Sequence, residues 1–245
     1  MNSGVNVHLP TVMGHRGAPS LAPENTLLGF KTAFDTGASW TETDVSLLGD
    51  GTPVIFHDST MDRCTDRSGS IADVSLADLP SINANQQHPS AGFQTIPTLD
   101  AALECFVELG MGVNLELKLH HHVPPKALVH AVHPILSSGP LSKDRVLLSS
   151  FDFDVLRLAR VAFPDWAIAV IAENATDEVF DIAKEIDAQA LNLWWETLSY
   201  DDVRRAKNKG MSVNIWTAND PAKVRSMVDW GVQGFMSDCP QNYHF

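Results

Sequence analysis

The chain has 245 residues, 44% of them apolar, with 30 Asp and Glu against 17 Lys and Arg, a formal net charge of −13 at pH 7. That balance belongs to a folded globular protein and excludes a disordered or fibrous one. It also argues against nucleic acid as a partner, because phosphate backbones are bound through Lys and Arg; a small phosphate ligand stays compatible if a local cation reverses the field.

Residues Met1–Pro10 show no basic start and no apolar core, so no secretory signal is expected. The longest apolar run, Trp166–Ala172, is seven residues, against the roughly 20 that span a bilayer. Cys64, Cys105 and Cys239 make no CxxC pair. Three reduced thiols in a cytoplasmic protein are the expectation.

The first predicted strand, Thr11–His15, ends in Gly14-His15-Arg16-Gly17. An acid/base group and an anion binder thus sit between two glycines, where the backbone can turn sharply. A helix over Asn25–Asp35 follows, stopping at Gly37. In the second strand, Trp40–Leu47, Glu42 and Asp44 are two apart and share one face. Two acids in a strand are costly unless a cation lies between them or the strand is an exposed edge.

A turn at Leu47-Leu48-Gly49-Asp50-Gly51 argues against the edge, since Pro53–His57 returns alongside. Counted symmetrically about Asp50, His57 comes back opposite Thr43, next to both acids. Residues 59–96, rich in Asp, Ser, Asn, Gln and Pro, read as an inserted loop or small subdomain.

Thr98 caps a predicted helix to Leu109, and a third strand covers Val113–Lys118, with Glu116 and Lys118 on one face. That pair alone could be a structural ion pair. His120-His121-His122 reads as a solvated loop, since three adjacent residues in regular structure cannot all face one ion. Strands over Val146–Ser150, Ala167–Ala172, Ala190–Trp194, Ser212–Thr217 and Gly234–Ser237 follow. Helices over Thr176–Ile186, Ser199–Lys209 and Pro221–Trp230 fall between the later ones.

These last five strands start 21, 23, 22 and 22 residues apart. Eight apolar strands on a regular βα beat, with no GxGxxG after the first, favour an α/β fold of the (β/α)8 TIM-barrel type with an insertion after strand two. Residues 1–245 then form one domain. In such a barrel the site lies at the C-terminal strand ends. Glu42, Asp44 and Glu116 there describe a hard-oxygen site for Mg2+ or Ca2+, with Arg16 and Lys118 beside it for an anion.

Gly14-His15-Arg16-Gly17, Pro23-Glu24-Asn25-Thr26, Glu42-Thr43-Asp44-Val45, Asp50 to Asp58, Glu116-Leu117-Lys118 and Trp216-Thr217-Ala218-Asn219 together resemble the glycerophosphodiester phosphodiesterase family over Val12 to Pro240. The resemblance implies a metal-dependent barrel that hydrolyses glycerophosphodiesters to an alcohol and glycerol 3-phosphate. It implies Glu42, Asp44 and Glu116 as metal ligands, and His15 and His57 as the acid/base pair. Arg16 and Lys118 become phosphate contacts and Trp216 a wall against glycerol, with Glu24 and Asn25 supporting the site from behind.

The C-terminus departs from the family, in which a helix follows the Asp-x-Pro of strand eight. After Asp238-Cys239-Pro240 come only Gln241 to Phe245. The eighth helix is therefore expected to be missing, which questions closure of the barrel or calls for a partner subunit in a homo-oligomer. Rival readings are a barrel phosphodiesterase for inositol or sphingosine phospholipids and a non-catalytic metabolite-binding barrel. No basic patch or apolar loop supports the first, and no matched position is lost as the second would require.

Overall fold

A computed structural model describes residues 12–244. Residues 1–11, including Thr11 at the predicted start of the first strand, and residue 245 lie outside the described residues. The strands in chain order are β1 (Val12–His15), β2 (Trp40–Leu47), β3 (Pro53–Ile55), β4 (Gly112–Leu117), β5 (Val146–Ser150), β6 (Ala167–Ala172), β7 (Ala190–Trp194), β8 (Ser212–Trp216) and β9 (Gly234–Ser237). All but β3 run parallel, in the order β1-β9-β8-β7-β6-β5-β4-β2, and β1 also pairs with β2. The sheet is a closed eight-stranded barrel.

Closure needs no eighth helix. Val12, Met13 and Gly14 pair directly with Phe235, Met236 and Ser237, and β9 is followed by a short 3-10 turn, Pro240–Asn242. Tyr243 packs on Phe235 at 6.1 Å between ring centroids, and its hydroxyl donates to the Ala218 carbonyl.

Among the described residues seven α-helices surround the barrel: α1 (Leu27–Asp35), α2 (Leu99–Leu109), α3 (Pro125–Ser138), α4 (Phe153–Ala162), α5 (Asp177–Glu185), α6 (Tyr200–Asn208) and α7 (Pro221–Trp230). Their starts are written in capping side chains: Thr26, Thr98, Asp152, Thr176, Ser199 and Asp220 each accept from a backbone N–H of the first turn. Sequence periodicity did not delimit α3 or α4. Pro134 lies inside α3, and α4 follows the strand after a short connection, beginning from Asp152 as its cap.

The hairpin register is the predicted one, with Val45 opposite Ile55 and Leu47 opposite Pro53. Phe56 N–H continues the pairing by donating to Asp44 O at 3.0 Å although β3 stops one residue earlier. Residues 59–96 carry three 3-10 turns. Ile71, Leu79 and Ile82 there join Leu48, Val54 and Phe56 in an apolar cluster separate from the barrel core.

Inside the barrel, layers set the height of the site. Trp40 lies beside Gly112, Glu42 beside Asn114, and Asp44 beside Glu116. Met13, Trp40, Leu147, Ala169 and Met236 form the apolar floor. A Cβ on Gly112 would sit 2.3 Å from the Trp40 indole, so this strand is emptied to let the ring fill the base. Gly112→Ala should therefore cost about 1–3 kcal/mol by overpacking. Urea unfolding of the variant checks this, and parental stability would show that the floor can repack freely.

Candidate active site

At the end of β1 the chain folds back sharply. Arg16 and Gly17 have φ of 55° and 94°, and a Cβ on Gly17 would come within 2.7 Å of the Gly29 backbone. The turn is fastened by Arg16 N–H donating to Glu42 O at 2.7 Å and Asn25 N–H to Arg16 O at 2.9 Å. His15 is thereby aimed into the barrel mouth, with Nδ1 2.6 Å from Asp238 Oδ1 and Nε2 3.7 Å from Glu42 Oε2. Asn219 holds Asp238 in place through its side-chain N–H at 2.7 Å and by accepting the Asp238 N–H at 2.8 Å. Burial alone would raise the Asp238 pKa, but the His15 and Asn219 bonds outweigh it and the carboxyl stays below its ordinary range.

Glu42, Asp44 and Glu116 converge from β2 and β4, each buried, with ligand oxygens all within 4.8 Å of one another. Arg16 Nε lies 3.3 Å from Asp44, and Lys118 Nζ lies 2.9 Å from Glu116 and 3.7 Å from Asp44. Asn25, itself at φ 53°, donates to Asp44 Oδ2 at 3.0 Å and accepts from Thr43 at 2.6 Å.

Burial pushes all three carboxyls toward the protonated form. For Asp44 the charges of Arg16, His57 and Lys118 and the Asn25 bond prevail, and its pKa is lowered. For the other two, burial and the charge on Asp44 prevail: Glu42 is raised well above its ordinary value and Glu116 to about 7. Glu42 Oε2 and Asp44 Oδ1 are buried without a hydrogen-bond partner. Unpartnered oxygens on two of three converging carboxylates fit a hard divalent cation.

His57 enters from the return arm of the hairpin. Its Nδ1 lies 2.6 Å from Asp58 Oδ1. Burial first, then the cations Arg16 and Lys118, depress its pKa against the pull of Asp44 and Asp58. Behind it stands Arg63, whose guanidinium meets Asp58 at 2.7 and 2.9 Å and Glu24 at 2.6 and 2.8 Å. Glu24 in turn accepts from Arg16 at 3.0 Å. A continuous chain of charges thus joins His57 to the Arg16 turn.

A cavity of about 220 Å3 opens over these groups, lined among others by His15, Arg16, His57, Lys118, Phe151 and Trp216. Trp216 is fixed by its indole N–H donating to Asn192 O at 3.1 Å, and Phe151 meets it edge-on at 5.5 Å. Every sequence-predicted site residue lies at this mouth or directly behind it. Four residues were not given a role by the sequence. Asp238 and Asp58 brace the two histidines, and each adjoins a motif residue or strand end that could have flagged it. Phe151 follows directly on β5. Arg63 lies in the insertion, where no local pattern marks it. The His120–His122 run is not simply solvated: His120 is buried, and His122 Nε2 lies 3.2 Å from Leu47 O.

The sequence profile of the glycerophosphoryl diester phosphodiesterase family matches residues 15–242. A glycerophosphodiester phosphodiesterase of Caldanaerobacter subterraneus subsp. tengcongensis is 29% identical over 232 residues, covering 94% of each chain. The solved structure of an Oleispira antarctica phosphodiesterase in complex with the product sn-glycerol-3-phosphate is 32% identical, with a TM-score of 0.92 over 98% of this chain and 97% of that one. A glycerophosphodiester phosphodiesterase of Bacillus subtilis is 27% identical, over 95% of this chain and 84% of its own.

Arg63→Met would leave Asp58 and Glu24 without their shared cation, at a cost of about 2 kcal/mol for this half-buried pair. Burial alone would raise the Asp58 pKa, but the Arg63 and His57 bonds hold it at about 2, below the ordinary 3.8. Its stabilisation is therefore complete above pH 4 and is lost as pH falls toward 2. The stability gap between parent and variant, followed by urea unfolding, should be full at pH 7 and close over that window. A gap independent of pH would show that the carboxylates contribute nothing to it.

Proposed function

The chain belongs to the glycerophosphoryl diester phosphodiesterase family, and from that membership we propose that it hydrolyses glycerophosphodiesters to an alcohol and glycerol 3-phosphate. The observation that carries this reading is the pair of carboxylate-braced histidines, His15–Asp238 and His57–Asp58, beside a buried acidic triad with Arg16 and Lys118. Three acids alone would repel a phosphate. With two fixed cations and a site for a third, the same cluster attracts one.

In this reading Arg16 and Lys118 hold the phosphoryl oxygens, and the glycerol carbons lie on the Trp216–Phe151 wall. A divalent ion of the Mg2+ or Ca2+ class, held by Glu42, Asp44 and Glu116, would neutralise charge on the phosphoryl group. The nucleophile is water, or the neighbouring glycerol hydroxyl, which expels the alcohol to leave a cyclic phosphate that water then opens to glycerol 3-phosphate. One histidine takes its proton as the new O–P bond forms, and the other protonates the alkoxide released as the old P–O bond breaks. Each Nδ1 is tied to a carboxylate, which leaves Nε2 as the exchanging nitrogen and keeps the ring aimed at the cavity. Unpaired Cys64, Cys105 and Cys239 fit a reducing compartment, and the cytoplasm is the proposed place of action. Among the described residues no helix is long and apolar enough to cross a membrane.

Release of glycerol 3-phosphate from a panel of glycerophosphodiesters, with Mg2+ and with Ca2+, tests the reading; no release from any of them would refute it. His15→Ala and His57→Ala should each lose about 10²-fold or more in turnover, and a folded variant of near-parental rate would remove that histidine from the mechanism. Glu42→Ala should weaken divalent-ion binding in calorimetry, where unchanged affinity would contradict its place as a ligand.

A further inference from the structure

A diester has two alcohol arms on one phosphate. If Arg16 and Lys118 hold that phosphate and Trp216 covers the glycerol arm, the departing arm must lie elsewhere. On the far side of Lys118 a second, more open pocket of about 500 Å3 is lined by Lys118, His120, His121, Val123, Phe151 and Asp152, among others. It shares Glu116, Lys118 and Phe151 with the first cavity, so the two meet at the proposed phosphate position. We propose that this pocket receives the leaving alcohol and that His120 hydrogen-bonds to its hydroxyl groups, which makes neutral, hydroxylated alcohols the favoured class. The inference rests on the diesterase reading above.

His120 is 8% exposed, yet its Nε2 has no hydrogen-bond partner. A buried ring nitrogen left so is costly unless something else satisfies it. The neighbouring polar groups are already committed. Ser150 Oγ donates to Leu117 O at 2.8 Å, Asp152 Oδ1 accepts the Val155 N–H at 2.8 Å as the cap of α4, and Lys118 is bound to Glu116. His120 is thus the buried group in this pocket with capacity to spare.

The character of the ring decides what it can take. Burial first, then Lys118 and the neighbouring His122 and His57, depress its pKa to about 4, against a smaller opposing pull from Asp44. A neutral imidazole exchanges a hydrogen bond with a hydroxyl but gives a quaternary ammonium neither a hydrogen bond nor a negative charge, and the Phe151 ring already faces the Lys118 ammonium at 5.6 Å. Such a cation would face Lys118 and the imidazoles, while the pocket's two carboxylates are partly engaged already, Asp152 by its helix and Glu116 by Lys118. Phe151, Leu119 and Val123 supply apolar walls for the carbon skeleton.

The test compares kcat/KM of the metal-loaded enzyme for glycerophosphoglycerol, glycerophosphoinositol and glycerophosphocholine, alongside inhibition by glycerol 3-phosphate, which would occupy the other arm. The parent should favour the two hydroxylated substrates. His120→Phe should lose about tenfold on them, the worth of one hydrogen bond to a fixed group, with little loss on glycerophosphocholine and an unchanged inhibition constant. His121→Trp, at an exposed position where folding is not at stake, narrows the same pocket. It should raise KM for glycerophosphoinositol more than for glycerophosphoglycerol. A parental preference for glycerophosphocholine, equal losses on all three substrates, or a shifted glycerol 3-phosphate inhibition constant would overturn the subsite. Parental failure to release glycerol 3-phosphate from any of the three would instead overturn the diesterase reading, and the subsite with it.

Discussion

The burial of three carboxylates within 4.8 Å of one another is the constraint around which the rest of the molecule is arranged. Each acid is costly to desolvate and each repels the others. The left-handed turn at Arg16, the left-handed Asn25 and the inward Lys118 are the local answers to that cost. All three touch Asp44, the one acid of the triad whose pKa falls rather than rises. The remaining strain falls on Glu42 and Glu116, whose raised pKa values record an imbalance that a bound cation would relieve.

Rigidity reaches the triad from two directions. From below, the Trp40–Gly112 layer sets its height, and an amide ladder lies at the level of Glu42. In that ladder Asn214 donates to Asn192 at 2.8 Å and Asn192 to Asn114 at 3.4 Å. From the side, Arg63 joins Asp58 to Glu24 and so ties the hairpin that carries His57 to the turn that carries Arg16. The insertion is therefore tied to the site through the Arg63 guanidinium, and to the loop after Arg16 by His88 Nε2 2.7 Å from Pro19 O, while its own apolar cluster holds it apart from the barrel core.

The parts legible in the sequence are those encoded by local periodicity. Same-face placement of Glu42 and Asp44 follows from a two-residue repeat, and the return of His57 follows from counting about Asp50; the observed register agrees with both. The barrel follows from the even spacing of the later strands. Contacts between distant segments leave no such trace. Asp238 is 223 residues from His15 and Arg63 is 39 from Glu24, so their pairings exist only once the barrel has closed. The helix α3 was obscured by Pro134 and by its histidines, which blur an otherwise apolar face. The ring closes without an eighth helix because strand pairing, not the outer helices, joins its ends: the β1–β9 ladder does so by itself.

The acidity that argues against nucleic acid persists at the site. Six carboxylates gather there, Glu24, Glu42, Asp44, Asp58, Glu116 and Asp238, against three fixed cations, Arg16, Arg63 and Lys118. With both histidines neutral the local formal charge is −3, which a phosphodiester anion would make worse. Two remedies are open to such a cluster. Protons on Glu42 or Glu116 reduce the repulsion but supply no positive charge to the phosphate. A divalent cation held by Glu42, Asp44 and Glu116 would do both, replacing those protons and adding positive charge beside Arg16 and Lys118. An excess of acids beyond the fixed cations is thus what the proposed metal-assisted site would require, and the buried, unpartnered oxygens of Glu42 and Asp44 are where such a charge would be compensated.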